Sequence, residues 1–410
     1  MIKIISSFKP SLSYRQLNNV LASLLKGCPH EEPRKEFERK FAQYIGVKHA
    51  IYAPSGRWAL YYILKCLALN DGDEVILPAF TYFAVPAAIV KSGLRPVFTD
   101  VKRDSLSVDI DKIKENISEK TKVIIPTHLC GFVYDLDRII DIARENNIFV
   151  VEDCAQSLGA EYMGRKAGSL GGASYYTFGL TKNFTTLGGA MITTDSDELA
   201  GKIRACTGHI GRTGRGALFF KLIDAYKMKL ATSRQLFPLL YLVINILSFF
   251  GLDIIDALFR EKAAFLGDLP KSGQLNKIQA KLGLDQLANL VFKTDIKVKK
   301  GLFLYSRLKD NANIRVPTLD EKAKNIFSGC PVMVERKKNM REMLLKRGID
   351  TSSGYMQDCS NMDVFREFRR DCPNSRSLED SVVYLPLYEE LSYSELDYIS
   401  DIVIKTVSLL

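Results

Sequence analysis

The chain has 410 residues, 47% apolar and 25% charged, the mix of a folded protein with a sizeable core. That mix excludes disorder, collagen and low-complexity scaffolds, and the length suits two or three domains. Lys and Arg outnumber Asp and Glu by 57 to 47, and the net charge of +10 admits nucleic acid, a membrane surface or an anionic substrate as partner.

From the N-terminus, residues 34–45 carry apolar side chains at helical spacing: Phe37, Phe41, Tyr44 and Ile45. After Ser55-Gly56 a second helical pattern runs from Ala59 to Leu69. Asp71-Gly72-Asp73 reads as a turn and Glu74 to Pro78 as a short buried strand. The alternation then repeats. Strands are predicted at 96–100, 122–126 and 148–153, and helices at 109–117 and 135–146. Continuous apolar strands separated by helices imply a parallel sheet covered on both faces, an α/β fold. Residues just past the strand ends then gather at the sheet edge where open α/β sheets bind ligands. Helical periodicity returns at 270–300 through Ile278, Leu282, Leu287 and Leu290, and 301–410 mixes helices with short strands. This predicts a large domain over 1–265 and a smaller α+β domain over 266–410.

Eight Cys are dispersed without a CxxC pair, and the four His have no zinc spacing, so a metal-centred mechanism is not expected. Met1-Ile-Lys-Ile-Ile-Ser-Ser7 lacks the apolar core of a signal peptide, and dispersed thiols suit a reducing cytoplasm.

Three short stretches fall at predicted sheet-edge positions. Ser55-Gly56-Arg57 opens a helix, where unpaired backbone N–H groups can hold a phosphate; an ordinary helix cap would look the same. Glu152-Asp153-Cys154-Ala155-Gln156 follows a strand. A carboxylate there can pair with a protonated ring nitrogen, or simply cap a following helix. Thr177 to Gly189 holds a lone Lys182 between an apolar strand and a Gly-Gly turn. A partly desolvated lysine can lose its proton and form a Schiff base, whereas a surface lysine would not.

Together these stretches resemble the sugar aminotransferases of the DegT/DnrJ/EryC1/StrS family, which have the fold type I architecture of pyridoxal-phosphate enzymes. Further matching stretches are Pro78-Ala-Phe-Thr-Tyr82, Pro126-Thr-His128-Leu-Cys-Gly131, Glu152 to Ala160 and Ile278-Gln-Ala-Lys-Leu-Gly283. The resemblance implies that Lys182 forms the Schiff base with pyridoxal 5′-phosphate and shuttles the substrate proton. It implies that Asp153 keeps the pyridinium nitrogen protonated, that Gln156 bonds near the ring's phenolic oxygen and that Tyr82 stacks on the ring. Gly56, Arg57 and Thr177 would hold the phosphate. His128 lies on a matching stretch, and its assignment to catalysis stays open. The family usually has Ser at the position of Thr177, and the hydroxyl survives the change. Where the family usually has Asn-Tyr-Arg, the aligned residues here are Ser272-Gly273-Gln274, so the contact to a neighbouring subunit's phosphate loses its usual residues. Some relatives carry His in place of the lysine and catalyse dehydration; Lys182 argues for transamination.

The expected activity is transfer of an amino group, from glutamate, to a nucleotide-linked keto-sugar, with pyridoxamine phosphate as the intermediate cofactor form and a homodimer as the working unit. A sugar dehydratase on the same fold and a non-catalytic, membrane-associated regulator are the alternatives. No helix-turn-helix, zinc finger or RNP-type motif supports a nucleic-acid partner.

One segment departs from the family pattern, an insertion over about 202–262. Residues 202–234 hold eight basic residues against Asp224 alone, a local +7 that leaves the rest of the chain near neutral. The stretch 236–252 is then apolar on nearly all sides, broken by Pro238, Asn245 and Ser248. Three placements are open: a buried or dimer-packing helical hairpin, a helix in the membrane interface, or a membrane span, for which the apolar run is short. An enzyme of this kind is expected in the cytoplasm, with contact to the inner membrane face through 202–252 as one reading.

Overall fold

A computed structural model describes residues 3–28, 32–249, 273–352 and 356–410. The expected domain boundary at 265/266, Ser272, and residues 250–262 of the insertion lie outside the described residues.

Seven strands form the central sheet: β1 (His49–Ala53), β2 (Glu74–Pro78), β3 (Arg95–Thr99), β4 (Thr121–Ile124), β5 (Phe149–Asp153), β6 (Ala173–Thr177) and β7 (Ala190–Thr194). Their order is β1-β7-β6-β5-β4-β2-β3. Only β7 runs against its neighbours; the remaining pairings are parallel. Strand alternation decides which side chains meet which layer. Val75 and Leu77 of β2 join one apolar cluster with Leu60, Ile63, Ala88 and Ile203. Ile76 between them joins the opposite cluster with Val97, Ile124, Ile139 and Ile142. The sheet is thus buried on both faces, as the continuous apolar strands imply.

Helix α1 (Tyr14–Lys26) begins with a capping box between Ser13 and Gln16. Helix α2 (Pro33–Ile45) starts with proline in its first turn, where no helical N–H bond is lost. Its Phe37 and Phe41 pack against Phe178 and Phe184 in an aromatic cluster beneath the Lys182 loop. Helix α3 (Gly56–Cys66) starts three residues earlier than its apolar periodicity suggests.

A second, antiparallel sheet of β8 (Ile314–Arg315), β9 (Cys330–Val334) and β10 (Val382–Leu385) lies in the C-terminal part. Helices Lys337–Lys346 and Tyr393–Val407 pack on it through Leu344, Ile399 and Val403. Ile5 joins this cluster and bridges to Ile349, so the chain's first described residues belong with this layer.

The insertion folds as α4 (Arg215–Ala231) and α5 (Phe237–Phe249). Its base is closed by main-chain bonds, Thr213 N–H to the Gln274 carbonyl at 2.9 Å and Gln274 N–H to the Gly211 carbonyl at 2.7 Å. Among the described residues no helix is long and apolar enough to cross a membrane, which removes the spanning reading there. Of the buried or dimer-packing hairpin, burial within the chain needs correction, because Leu239 and Leu242 of α5 are 65% and 58% exposed. The charge block is partly neutralised by distant acids. Arg234 pairs with Glu395 at 2.9 Å, and Lys229 lies 3.9 Å from Glu390.

Candidate active site

The strand ends supply the site. Beyond the carboxyl ends of β2, β4, β5 and β6 a cavity of about 620 Å³ opens, lined by Gly56, Arg57, Tyr82, Asp153, Gln156, Thr177 and Lys182. All seven residues singled out from the sequence therefore share one cavity. His128 lines it as well.

The N-terminus of α3 forms one wall. Ser55 holds the N-cap position but makes no side-chain capping bond, and the first-turn N–H groups of a helix have no partner within it. Thr177 closes against this turn. A Cβ added to Gly56 would lie 2.2 Å from Thr177 Cγ2, so only glycine permits this approach. The Thr177 hydroxyl donates to the Ala155 carbonyl at 3.3 Å and keeps acceptor capacity toward the cavity.

Asp153 ends β5. No helix follows it, so the capping alternative does not apply; its Oδ1 accepts the Ala155 N–H at 3.0 Å within a turn. Burial raises the Asp153 carboxyl, opposed by the Tyr175 hydroxyl, the Ala155 N–H and the nearby Lys182 and His128. Gln156 is oriented from both ends. Its Oε1 accepts the Cys130 N–H at 3.0 Å, and its Nε2 points to the Met356 sulfur at 3.8 Å.

Lys182 sits in the loop between β6 and β7, its N–H bonded to the Gly179 carbonyl at 3.1 Å. The side chain borders the cavity and keeps intermediate exposure, yet the surrounding protein lowers its pKa below the usual 10.5. Desolvation is the main cause, and the facing Asp153 partly opposes it. An amine so placed is more readily neutral than a surface lysine, which is what a nucleophilic lysine needs. Gly188 and Gly189 follow at φ +110° and +99°. At Gly189 an added Cβ would meet the Tyr52 hydroxyl at 1.8 Å, so this turn tolerates no side chain.

Strand alternation separates two adjacent carboxylates. Asp153 faces the cavity, while Glu152 points to the other side and is fully buried. Glu152 accepts N–H bonds from Gly168 (2.7 Å), Leu170 (2.8 Å) and Gly171 (2.7 Å), and its Oε2 lies 3.1 Å from His128 Nε2. Cys154 completes a trio of potential ligand atoms within 4.8 Å, but four donors already occupy the Glu152 oxygens. Burial alone would raise the Glu152 pKa; His128 and the Gly171 and Gly168 amides outweigh it and hold it below the usual 4.5. A lowered carboxyl pKa contributes stability above the unfolded value and loses it as pH falls through the folded one. Glu152 is thus expected to stabilise the fold fully above about pH 4.5 and to stop doing so in more acid solution. Glu152→Ala should cost about 3–5 kcal/mol at neutral pH, read as a lower urea midpoint, with the deficit shrinking in acid.

Several lining groups were not singled out from the sequence. Thr81, Thr127 and Ser328 line the cavity, and their buried hydroxyls find no partner among the described residues. Such orphans are uncommon in a folded interior and mark a place for a polar ligand. With the α3 amides, Asp153 and Lys182, they fit a phosphorylated pyridine aldehyde: anion donors at one end, a carboxylate and an amine further in. Tyr175 could have been found by period-two alternation from Thr177. Ser328 and Tyr384 come from the C-terminal part and carry no local signal.

The DegT/DnrJ/EryC1/StrS aminotransferase family model matches residues 15–234 and 238–404. The uncharacterized protein MJ1066 of Methanocaldococcus jannaschii is 28% identical over 98% of this chain and 97% of its own length. A GDP-perosamine synthase of Caulobacter vibrioides is 42% identical, but over 42% of this chain and 47% of that protein, so the match spans about half of this relative. Spr1654 of Streptococcus pneumoniae, described as a putative sugar aminotransferase, superposes with a TM-score of 0.78 in both its PLP and PMP forms, at 23% identity over 99% of each chain. The chain therefore belongs to the DegT/DnrJ/EryC1/StrS aminotransferase family and is a pyridoxal-phosphate-dependent enzyme.

Proposed function

We propose that the chain transfers an amino group from glutamate to a keto-sugar carried on a nucleotide, in the making of amino sugars for surface polysaccharide. It works as a cytoplasmic homodimer, since fold type I sites of this kind are built where two subunits meet. The division into 1–265, holding the cofactor, and 266–410, closing the cavity from the other side, belongs to the same reading.

One observation carries it: a lysine of lowered pKa and a buried carboxylate share one cavity with a helix N-terminus. Pyridoxal phosphate bound there supplies an electron sink that eases loss of a proton beside the amino group. Lys182 would hold the cofactor through its Nζ and would carry the substrate proton on that atom. Asp153 holds a proton on the ring nitrogen, and burial strengthens that pairing by removing competing water. The Gly56 and Arg57 amides with the Thr177 hydroxyl bind the phosphate. Gln156 orients the ring beside its phenolic oxygen, and Tyr82 covers one ring face. The GDP-perosamine synthase relative supports a nucleotide-linked sugar as acceptor.

Holoenzyme incubated with glutamate and a panel of nucleotide keto-sugars should yield one aminated product with matching 2-oxoglutarate, read by mass spectrometry. A deoxygenated, unaminated product would instead assign the dehydratase. Cofactor binding without any glutamate-driven spectral change would assign the regulator.

A further inference from the structure

The helix Leu290–Leu308 buries one stripe of side chains that includes Lys297, Gly301, Leu304 and Leu308. A lysine is out of place on such a stripe, and Lys297 is only 6% exposed. Its Nζ donates to the Asn183 Oδ1 at 2.6 Å. Burial lowers its pKa, opposed by Glu389 and Cys330. Among the described residues no carboxylate pairs with it directly. The Glu389 Oε1 instead accepts the Ser11 hydroxyl, and the Glu389 carbonyl accepts from the Lys300 Nζ. A buried amine whose bonded partner is a neutral amide carries a desolvation cost that a nearby anion would offset.

Asn183 follows Lys182 in the chain and lines the same cavity. A lysine ammonium only donates, so it fixes the carboxamide with its oxygen toward Lys297. The Nδ2 end has no partner among the described residues and is what the carboxamide has left to offer the cavity. The loop that carries both residues is closed by other bonds. The Gln279 Nε2 donates to the Thr186 carbonyl at 2.9 Å, and the Thr185 hydroxyl to the Phe178 carbonyl at 2.9 Å. What Lys297 adds is the orientation and polarity of one amide next to Lys182.

We propose that Asn183, oriented by Lys297, seats the carboxylate of the amino donor. The inference rests on the transamination reading. The donor's own chemistry selects the occupant. In an α-amino acid the carbon that bears the reacting amine also bears a carboxylate. An amine that takes the place of the Lys182 Nζ therefore brings a carboxylate with it, one carbon away. An N–H donor with a positive charge behind it suits an anion. A keto-sugar offers uncharged hydroxyls, which gain less from the ammonium. Asn183 is then a binding residue and Lys297 a positioning residue that acts through it. The seated carboxylate in turn favours the charged form of Lys297.

Rapid mixing of the pyridoxal-form holoenzyme with glutamate tests this, read as loss of the cofactor's visible band. Lys297→Met should raise the glutamate concentration for half-maximal rate about 10-fold, the size of one hydrogen bond to a charged group. Asn183→Asp, which sets an acceptor oxygen and a negative charge toward the seat, should raise it about 100-fold. The limiting rate should stay near the parent's in both. Binding of 2-oxoglutarate, which has the same carboxylates but no amine to react, should weaken by the same factors in calorimetry. Hydroxylamine, an amine without a carboxylate, should consume the band at the parent's rate, and the spectrum before mixing should be unchanged. A merely structural role for Lys297 would move both of these. An unchanged glutamate dependence in either variant, or equal losses with glutamate and hydroxylamine, would overturn the seat alone. A parent that reacts with hydroxylamine but with no α-amino acid would overturn the transamination reading and the seat with it.

Discussion

Replacing Lys182 by alanine should lower turnover by on the order of 10⁴-fold or more, because covalent attachment and proton transfer are lost together. The fold should survive the change. Lys182 contributes its main-chain N–H to the Gly179 carbonyl, which alanine keeps, and its ammonium is disfavoured by burial. The cavity wall around Gly56 and Thr177, proposed to hold the phosphate, is untouched, so the variant should still bind the cofactor, now without a covalent link. Turnover and cofactor content measured on the same preparation check both halves. Retained full turnover would remove Lys182 from the chemistry.

Asp153→Asn is expected to cost about 10²–10³-fold in turnover while changing shape little, a size set by loss of one well-placed charge in a dry site. The carboxylate ends a central strand, and asparagine can still accept the Ala155 N–H from its carbonyl oxygen. What disappears is the charge proposed to face the ring nitrogen. The readout that distinguishes this from misfolding is spectroscopic: the bound cofactor's visible absorption should shift while thermal unfolding stays near that of the parent. Asp153→Glu should restore less than the parent rate, because a longer side chain meets the Tyr175 hydroxyl that lies beside the native carboxylate.

Much of the scaffold could be read from local pattern. The strand Glu74–Pro78 lies where its apolar run puts it, and the helices predicted at 109–117 and 135–146 differ from the observed Ile110–Asn116 and Leu136–Glu145 by a residue at each end. Parallel strands buried on both faces carry their signal in each segment, so no distant partner is needed to see them. The start of α3 shows in the Ser55-Gly56-Arg57 motif and not in the apolar periodicity, which begins at Ala59. Gly56 and Arg57 of its first turn line the cavity, with Thr177 close on Gly56, while Trp58 already packs in the core.

The site divides the same way. Asp153, Lys182 and Thr177 stand in short motifs with a chemical reason for their spacing. Thr81 and Thr127 lie within the stretches Pro78–Tyr82 and Pro126–Gly131 but were not singled out there, and nothing nearby in the chain marks Ser328. The charge count shows the limit most clearly. Arg234 and Lys229 belong to the local +7 in sequence, yet Glu395 and Glu390, about 160 residues away, meet them in the fold. The basic block is therefore a smaller outward charge than its composition indicates: Lys202, Arg204, Arg212, Arg215, Lys227 and Arg234 are exposed, but Lys202 pairs with Glu198 and Lys227 with Asp224.

The most direct test is peptide mapping of the holoenzyme after borohydride reduction. The visible absorption band should bleach, and one tryptic peptide, the one containing Lys182, should gain the mass of the reduced cofactor. A cofactor adduct on another lysine, or a cofactor that reduction leaves wholly unattached, would contradict the assignment of Lys182.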